Sequence, residues 1–161
     1  MPIAKDHNVS EHFTYYELTK SKDHPELVAA NRAYFSVEPY YTRLVTFAEY
    51  TLEAIRFEVG GAVIVNSCAR FPELNSAAGG SPTSQHRFEM PGPGAADIWA
   101  RSIGIESLFE LIEKKCQICW HQLRVYPDRG FIHVSMPTGK NDGQVKIVLN
   151  SAPVWFMDHA D

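Results

Sequence analysis

The chain has 161 residues, of which 45% are hydrophobic and 21% are charged, and its formal net charge is −4. This length and apolar content suit one domain with a sizeable core, and we treat residues 1–161 as a single domain. The anionic balance argues against a nucleic-acid partner, and the lack of any apolar run of about 18 residues argues against insertion in a membrane.

The first ten residues and the cysteines bear on where the chain is made. Residues 1–10 are polar and include Lys5, Asp6 and His7, so they lack the apolar core of a secretory signal. The sequence has three cysteines, an odd number that does not suggest a disulfide framework. We therefore expect a protein that is made in the reducing cytoplasm. We also expect a monomer.

The first third of the sequence is predicted to be helical. Thr14 followed by Glu17 has the spacing of a capping box, which predicts that Thr14 caps a helix. The strongest helical pattern covers residues 39–58, where apolar residues recur every three to four positions, and Gly60-Gly61 ends it. The apolar positions of this pattern are Leu44, Phe47, Ala48, Leu52, Ile55 and Phe57.

The rest of the sequence predicts strands and a long connection, and hence an α+β fold with N-terminal helices packed on a small, mainly antiparallel sheet. Residues 62–65 form a short β-rich apolar run. Residues 66–94 are rich in Ser, Gly, Pro and Asn and are predicted to be irregular, with a short helix at 72–78. The later predicted elements are a strand at 95–99, an amphipathic helix at 105–119, a hairpin of strands 123–126 and 131–134, and a last strand at 145–149.

Two histidines and one aspartate stand out as candidate metal ligands. His86 lies in the long connection, Asp97 in the strand that follows it, and His133 in the second strand of the hairpin. A catalytic zinc takes three imidazole or carboxylate ligands and keeps one position for water. On residue types alone an alternative stays open, because a lone histidine in a strand is more often a hydrogen-bonded structural residue.

The order of residues around these positions resembles a known family, the zinc D-Ala-D-Ala carboxypeptidases and L-alanyl-D-glutamate endopeptidases. Residues 66–75 resemble the family's SGYRSPELN segment, and residues 79–86 with 94–98 resemble its GGSxxSxH and GxAxDI signature. Residues 131–135 resemble its closing W/F-x-H-V-S strand, and residues 11–18 are similar to the opening of the phage and prophage branch. The resemblance covers roughly residues 11–149 and implies the hedgehog/DD-peptidase fold.

The resemblance implies roles for the matching residues. His86, Asp97 and His133 correspond to the zinc ligands. Arg70 corresponds to a substrate-binding residue, whose guanidinium suits a carboxylate or carbonyl because it donates two parallel hydrogen bonds. Ser84 would contact the ligands or the substrate. Asp128 is the nearest acidic residue before His133 and would act as general base and then general acid.

The implied function is hydrolysis of a peptide bond in peptidoglycan stem peptides, by an endolysin-like endopeptidase or a D,D-carboxypeptidase. Such an enzyme would reach the cell wall through another protein's pore. The alternative is a catalytically inactive, zinc-stabilised virion or wall-binding module of the same fold.

Two features depart from the family pattern. His86 and Asp97 are 11 residues apart, where about seven is usual, and we predict that residues 87–93 hold the extra length in a loop that bulges at the rim of the site. Asp128 also fits a plain role, because Pro-Asp-Arg-Gly is a good turn sequence. Glu89, in the inserted loop, is a poorer candidate for the base.

Cys116, Cys119 and His121 could suggest a second metal site. A single C-x-x-C at the end of a helix lacks the second ligand pair that a structural zinc needs. We therefore predict no metal there, and we predict that Cys68 is a small buried thiol.

Overall fold

The fold is described from a computed structural model of the chain, which describes residues 2–89, 94–115 and 120–136 and the backbone of residues 145–146. The α-helices within these ranges are α1 (Tyr15–Leu18), α2 (Val28–Phe35), α3 (Tyr40–Phe47), α4 (Glu53–Val59), α5 (Pro72–Ala77) and α6 (Ile105–Lys114). The strands are β1 (Val63–Ser67), β2 (Ala95–Ala100), β3 (Gln122–Tyr126), β4 (Phe131–Ser135) and β5 (Val145–Lys146). The predicted α+β class is confirmed.

The helical first part follows the predicted signals. Thr14 caps α1 with the full capping box, since its side chain accepts from the backbone of Glu17 and the Glu17 side chain accepts in return. The long helix predicted at 39–58 consists of α3, a π turn at Ala48–Leu52 and α4, and spacing alone does not reveal the π turn. Gly60 ends it in the left-handed conformation with φ of 70°.

One apolar position of the helical pattern at 39–58 does not face the core. Phe57 is 81% exposed, whereas Ile55, two positions earlier, is fully buried. Because an α-helix turns by about 100° per residue, two positions separated by two cannot share one face. The 3-to-4-residue pattern therefore ends at Ile55.

The sheet has the strand order β1-β2-β4-β3-β5. The first four strands pair antiparallel, and β5 pairs parallel with β3, so the prediction of a mainly antiparallel sheet is confirmed. The predicted helix at 105–119 is observed as α6, and its residues 116–119 lie outside the described part of the chain, as do residues 147–149 of the predicted last strand.

Two neighbouring rows of cross-strand partners define the two faces of the sheet. One row runs Val65–Ile98–Ile132–Val125, and all four side chains are fully buried. Leu108 and Ile112 of α6 are also buried in this core. Each such side chain contributes about 1.5–3 kcal/mol on burial. The adjacent row runs Ser67–Asp97–His133–Arg124 and lies on the opposite face, because side chains alternate along a strand.

A β-bulge at Asn66 brings β1 into this second row. Val65 pairs with Ile98 and Ser67 pairs with Asp97, so Asn66 is the extra residue between the two pairs. Without the bulge, Val65 and Ser67 would share a face, because they are two residues apart. The bulge therefore keeps Val65 in the core and turns Ser67 toward Asp97.

The predicted long connection is only partly irregular. It contains α5 and a 3-10 helix at Gln85–Arg87. Phe88, which follows this turn, is fully buried and packs edge-to-face on Phe35 and Phe47. The prediction that the inserted residues bulge at the rim is therefore wrong for Phe88, since burial of an aromatic ring stabilises the inward conformation. Residues 90–93 lie outside the described part.

None of the helices in the described ranges has the length and apolar character that a membrane crossing requires.

Candidate metal centre

Three side chains from separate parts of the chain meet on the polar face of the sheet. His86 comes from the 3-10 helix before β2, Asp97 from β2 and His133 from β4. The Asp97 Oδ1 atom lies 3.4 Å from His86 Nε2 and 3.1 Å from His133 Nδ1. The three potential ligand atoms all lie within 4.8 Å of one another. Such a donor set, two imidazoles and one carboxylate, suits a zinc ion.

His86 is held in one orientation by the backbone of the preceding segment. It is 3% exposed, and its Nδ1 lies 2.7 Å from the carbonyl oxygen of Cys68. A carbonyl only accepts, so Nδ1 must carry the proton and donate it. In a neutral ring the lone pair is then on Nε2, the nitrogen that faces Asp97, and this is the tautomer that a metal ligand requires.

His133 is held in the same way by a side chain. Its Nε2 lies 3.2 Å from Gln122 Oε1 while its Nδ1 faces Asp97. Donation from Nε2–H to the amide oxygen leaves the lone pair on Nδ1, which faces the centre. Burial lowers the pKa of His133, and the Asp97 contact opposes this only in part. A neutral ring is therefore favoured.

These contacts test whether a metal ion fits. Each imidazole faces an acceptor on both of its nitrogens, yet a neutral imidazole has only one N–H to donate. Two inward lone pairs therefore point at one carboxylate oxygen. A divalent cation between them satisfies all three groups, so the donor chemistry of these residues fits a metal ion.

Asp97 is ionised and held from its other side. Burial opposes ionisation, but protons on the imidazole nitrogens that face Asp97 outweigh it in the metal-free protein and hold the pKa of the carboxyl well below its usual range. A bound metal ion would take the place of these protons, because it also presents positive charge to the carboxylate. Asp97 Oδ2 accepts from Arg70 Nη2 at 3.2 Å, and Arg70 Nε donates to Ser67 Oγ at 2.9 Å. Arg70 thus fixes the carboxylate so that Oδ1 is directed at the histidines.

The segment that carries Arg70 is anchored by Asn31, which is fully buried in α2. The Asn31 amide donates to the carbonyls of Thr19 and Ala69, both at 2.9 Å, and accepts from the backbone of Phe71 at 2.8 Å. The two residues on either side of Arg70 are thus tied to one side chain.

Ser84 supports the first histidine through the backbone. Its Oγ caps the 3-10 helix by accepting from the backbone N–H of His86 at 3.3 Å. The hydroxyl is therefore engaged in holding His86, and contact of Ser84 with a substrate stays a prediction.

Asp128 is not brought to the three ligands. It lies exposed in the 3-10 turn Pro127–Arg129 between β3 and β4, as the turn chemistry of this stretch predicts. Its neighbours Tyr126, Arg129 and Phe131 line the cavity described next, whereas Asp128 itself does not. Its role as general base stays a prediction. Glu89 hydrogen-bonds Tyr34 and Arg87 instead.

A cavity of about 720 Å³ lies over the three ligands. Its lining includes the turn that contains Gly79, Gly80 and Ser81, and also Gln122, Arg124 and Tyr126 of β3. Within the described residues, Asp97 is the only carboxylate among those that line it. The site therefore combines three buried donors with a volume that can hold a peptide segment.

Of the three cysteines, the structure describes Cys68 alone. Cys68 is 1% exposed and free, so it is the small buried thiol that was predicted. Burial raises the pKa of this thiol well above the ordinary value, which lowers its reactivity. Cys116 and Cys119 lie outside the described residues.

Sequence reasoning missed the residues that orient the ligands. Gln122, Ser67 and Asn31 are ordinary polar residues in the sequence. Gln122 and Asn31 act through partners that are 11 and 40 positions away, and Ser67 bonds Arg70 from a position that the pairing with β2 determines. One signal was available in the sequence. The predicted strand at 123–126 indicates that a strand pairs with the one that carries His133, but it does not give the register of the pairing.

A family model described as Peptidase M15 matches residues 11–135, most of the chain. This confirms the predicted family, whereas its phage branch stays a prediction. Comparisons with curated proteins and with solved structures gave no match. Members of the family are zinc peptidases that act on peptidoglycan-type substrates. The chain belongs to the Peptidase M15 family, and its cofactor is zinc.

Proposed function

We propose that this peptidase hydrolyses a peptide bond next to a D-amino acid in peptidoglycan stem peptides. The observation that carries the proposal is the convergence of His86, Asp97 and His133, with inward-facing lone pairs, below a cavity of about 720 Å³. The family match supports the same reaction class, since its members are zinc peptidases.

His86, Asp97 and His133 would hold the zinc ion, through the ring nitrogens and the carboxylate oxygen that face one another. When bound, the metal supplies an acidified water and polarises the carbonyl of the scissile bond. Cys68 and Gln122 keep each imidazole in the ligand tautomer. Arg70 holds the carboxylate so that Oδ1 is directed inward.

Arg70 has a further role in this proposal. Its Nε and Nη2 are used by Ser67 and Asp97, and the side chain lines the cavity. The remaining Nη1 group is available to donate to the substrate carbonyl or to a nearby substrate carboxylate. Charge that develops on the carbonyl oxygen would be stabilised by this fixed cation.

Asp128 is the base of the proposed reaction. It takes a proton from the attacking water and returns it to the leaving amine. Its support is the family resemblance and its place in the turn whose flanking residues Tyr126, Arg129 and Phe131 line the cavity. Asp128→Asn should lower kcat by about 100-fold or more while zinc content stays unchanged, and an unchanged kcat would assign the proton to another group.

The direct test is mass analysis of purified peptidoglycan after incubation with the zinc-loaded protein. New amino termini that appear with the intact protein but not with His133→Ala support the proposal and name the bond. The matched control is His7→Ala, because His7 bonds Tyr41 and does not line the cavity, so the substitution should leave cleavage intact.

A second candidate is a catalytically inactive, zinc-stabilised wall-binding module. One observation favours it: Asp97, itself a ligand, is the only carboxylate among the described residues that line the cavity. The same experiment separates the two functions. Zinc binding and co-sedimentation with peptidoglycan without any cleavage would support the inactive module.

A further inference from the structure

The cavity over the ligands continues into a second one. The second cavity, of about 730 Å³, is lined by residues 20–24 and by Asn66 and Ser67. The two cavities share Arg70, Ala78, Asp97, Arg129 and Phe131. They therefore form one groove that passes over Asp97, with the turn at 79–85 on one side and the segment at 20–24 on the other.

The groove is basic although the chain as a whole is anionic. Its charged lining residues are the basic Lys20, Lys22, Arg70, Arg124 and Arg129 and the acidic Asp23 and Asp97. Asp97 forms an ion pair with Arg70, which offsets its charge. A bound zinc would add further positive charge, so the groove attracts anions against the net charge of −4.

Arg129 occupies the junction of the two cavities. Its guanidinium lies over the rings of Phe131 and Tyr126, with the guanidinium carbon 5.0 and 5.8 Å from their centroids. These two rings stack on each other at 4.6 Å. Within the described residues Arg129 makes no hydrogen bond and no ion pair. The aromatic platform thus holds a cation whose hydrogen-bond donors are unused.

We propose that the groove takes an acidic peptide across the metal centre and that Arg129 binds one of its carboxylates. This inference rests on the proposed function and deepens it. A substrate that fills both cavities has residues on both sides of the scissile bond, so the cleaved bond is internal. Lys20 and Lys22 offer positive charge to substrate carboxylates at the far end of the groove.

The substrate class follows from this arrangement. Stem peptides carry free carboxylates, which the groove cations can pair with through charge-assisted hydrogen bonds. A carboxypeptidase substrate ends just beyond the scissile bond and would leave one of the two cavities empty. The groove therefore favours an endopeptidase that recognises an acidic stem.

The test compares two forms of one peptide, N-acetyl-L-alanyl-γ-D-glutamyl-L-lysyl-D-alanyl-D-alanine. One form has its free carboxylates and the other has them converted to carboxamides. The zinc-loaded wild type should cleave the acidic form at an internal bond, with a kcat/KM at least about tenfold above that for the amide. Release of the terminal D-alanine alone would overturn the internal-bond assignment.

Variants of Arg129 test whether this residue binds the carboxylate of the substrate peptide. Arg129→Ala should lower kcat/KM for the acidic peptide by about tenfold, mainly through KM, and leave the amide form almost unchanged. Arg129→Lys keeps the charge without the planar stack and should fall between the two. Arg101→Ala is the matched control, because Arg101 is exposed outside the groove. An equal loss on both peptides, or none, would overturn the role of Arg129.

Binding separates this inference from the proposed function. The affinity of the zinc-loaded protein for a fluorescently labelled acidic peptide is measured by anisotropy at two salt concentrations. If no bond is cut but the acidic peptide binds more tightly than the amide and Arg129→Ala removes the difference, the hydrolase proposal fails and the groove assignment stands. Equal affinity for both peptides would overturn the groove assignment whatever the hydrolysis result.

Discussion

His133 lies directly opposite Asp97 on the adjacent antiparallel strand, and its Nδ1 is 3.1 Å from the Asp97 carboxylate. Directly opposed residues on neighbouring strands have their Cβ atoms about 4.5–5.5 Å apart, so the sheet register alone brings two of the three candidate ligands together. His86 comes from outside the sheet and is tied to the centre by its hydrogen bond to Cys68.

Gln122 should control metal affinity without binding the metal. Gln122→Ala removes the acceptor that holds the Nε2–H of His133. Such orienting partners typically change metal affinity by about 10–100-fold. A chelator competition assay should show a loss of this size, and Gln122→Glu, which keeps an acceptor, should restore most of the affinity. Unchanged affinity of Gln122→Ala would mean that strand packing alone orients His133.

Asn31 should be among the most sensitive positions for stability. Asn31→Ala leaves the carbonyls of Thr19 and Ala69 and the N–H of Phe71 buried without their partner. We expect a loss of about 2–4 kcal/mol in the free energy of unfolding, measured with urea. Asn8→Ala is the control, because Asn8 is exposed and makes one long bond, and it should change stability by less than about 0.5 kcal/mol. A loss that small for Asn31→Ala would contradict the anchoring role.

The helix start at Thr14 and the strands that carry Asp97 and His133 could be predicted from the sequence, because residues close to them in the chain determine these features. Thr14 with Glu17 predicts a helix start, and the strand context of Asp97 and His133 needs only alternation and turn signals. The orienting residues were not readable in this way. The bulge that turns Ser67 toward Asp97 depends on the pairing with β2, and register is a property of two strands rather than of one.

Phe88 illustrates a second limit. A residue in a loop that holds extra length is predicted to be exposed, yet this ring enters the core because Phe35 and Phe47 leave space for it. The burial of Phe88 depends on side chains that are distant in sequence, so a pattern of neighbouring residues does not predict it.

Gly94 should resist substitution because of this packing. A Cβ atom there would lie 2.7 Å from Phe88 and 2.8 Å from Phe47. Gly94→Ala therefore forces the two rings apart just before the strand that carries Asp97, and we expect a loss of about 1–3 kcal/mol in urea unfolding. At Gly61 the nearest atom to a new Cβ is at 3.7 Å, so Gly61→Ala should cost little. Equal stability of the two variants would show that the core adapts freely.

The stability of the chain should depend on pH through Glu53. Burial acts to raise the pKa of Glu53, but hydrogen bonds from Ser10 and His12 outweigh it and hold the pKa below the ordinary value of 4.5. Because the folded pKa is the lower one, this stabilisation is complete above about pH 4.5 and is lost as the pH falls through the folded pKa.

The comparison with Glu53→Gln isolates this effect. Urea unfolding should show the wild type as the more stable protein at neutral pH, with the difference shrinking below about pH 4.5. A difference that stays constant down to about pH 3 would mean that the carboxylate charge of Glu53 does not contribute.

His86, Asp97 and His133 are proposed to form the zinc site at which stem peptides are hydrolysed. The most direct test is hydrolysis of the N-acetylated stem pentapeptide by protein stripped of metal and then titrated with zinc, with bound metal and product measured in the same samples. Activity should rise in proportion to zinc up to roughly one ion per chain, and Asp97→Asn should lose both zinc and activity together. Full activity in the stripped protein, or in Asp97→Asn without bound metal, would contradict this proposal.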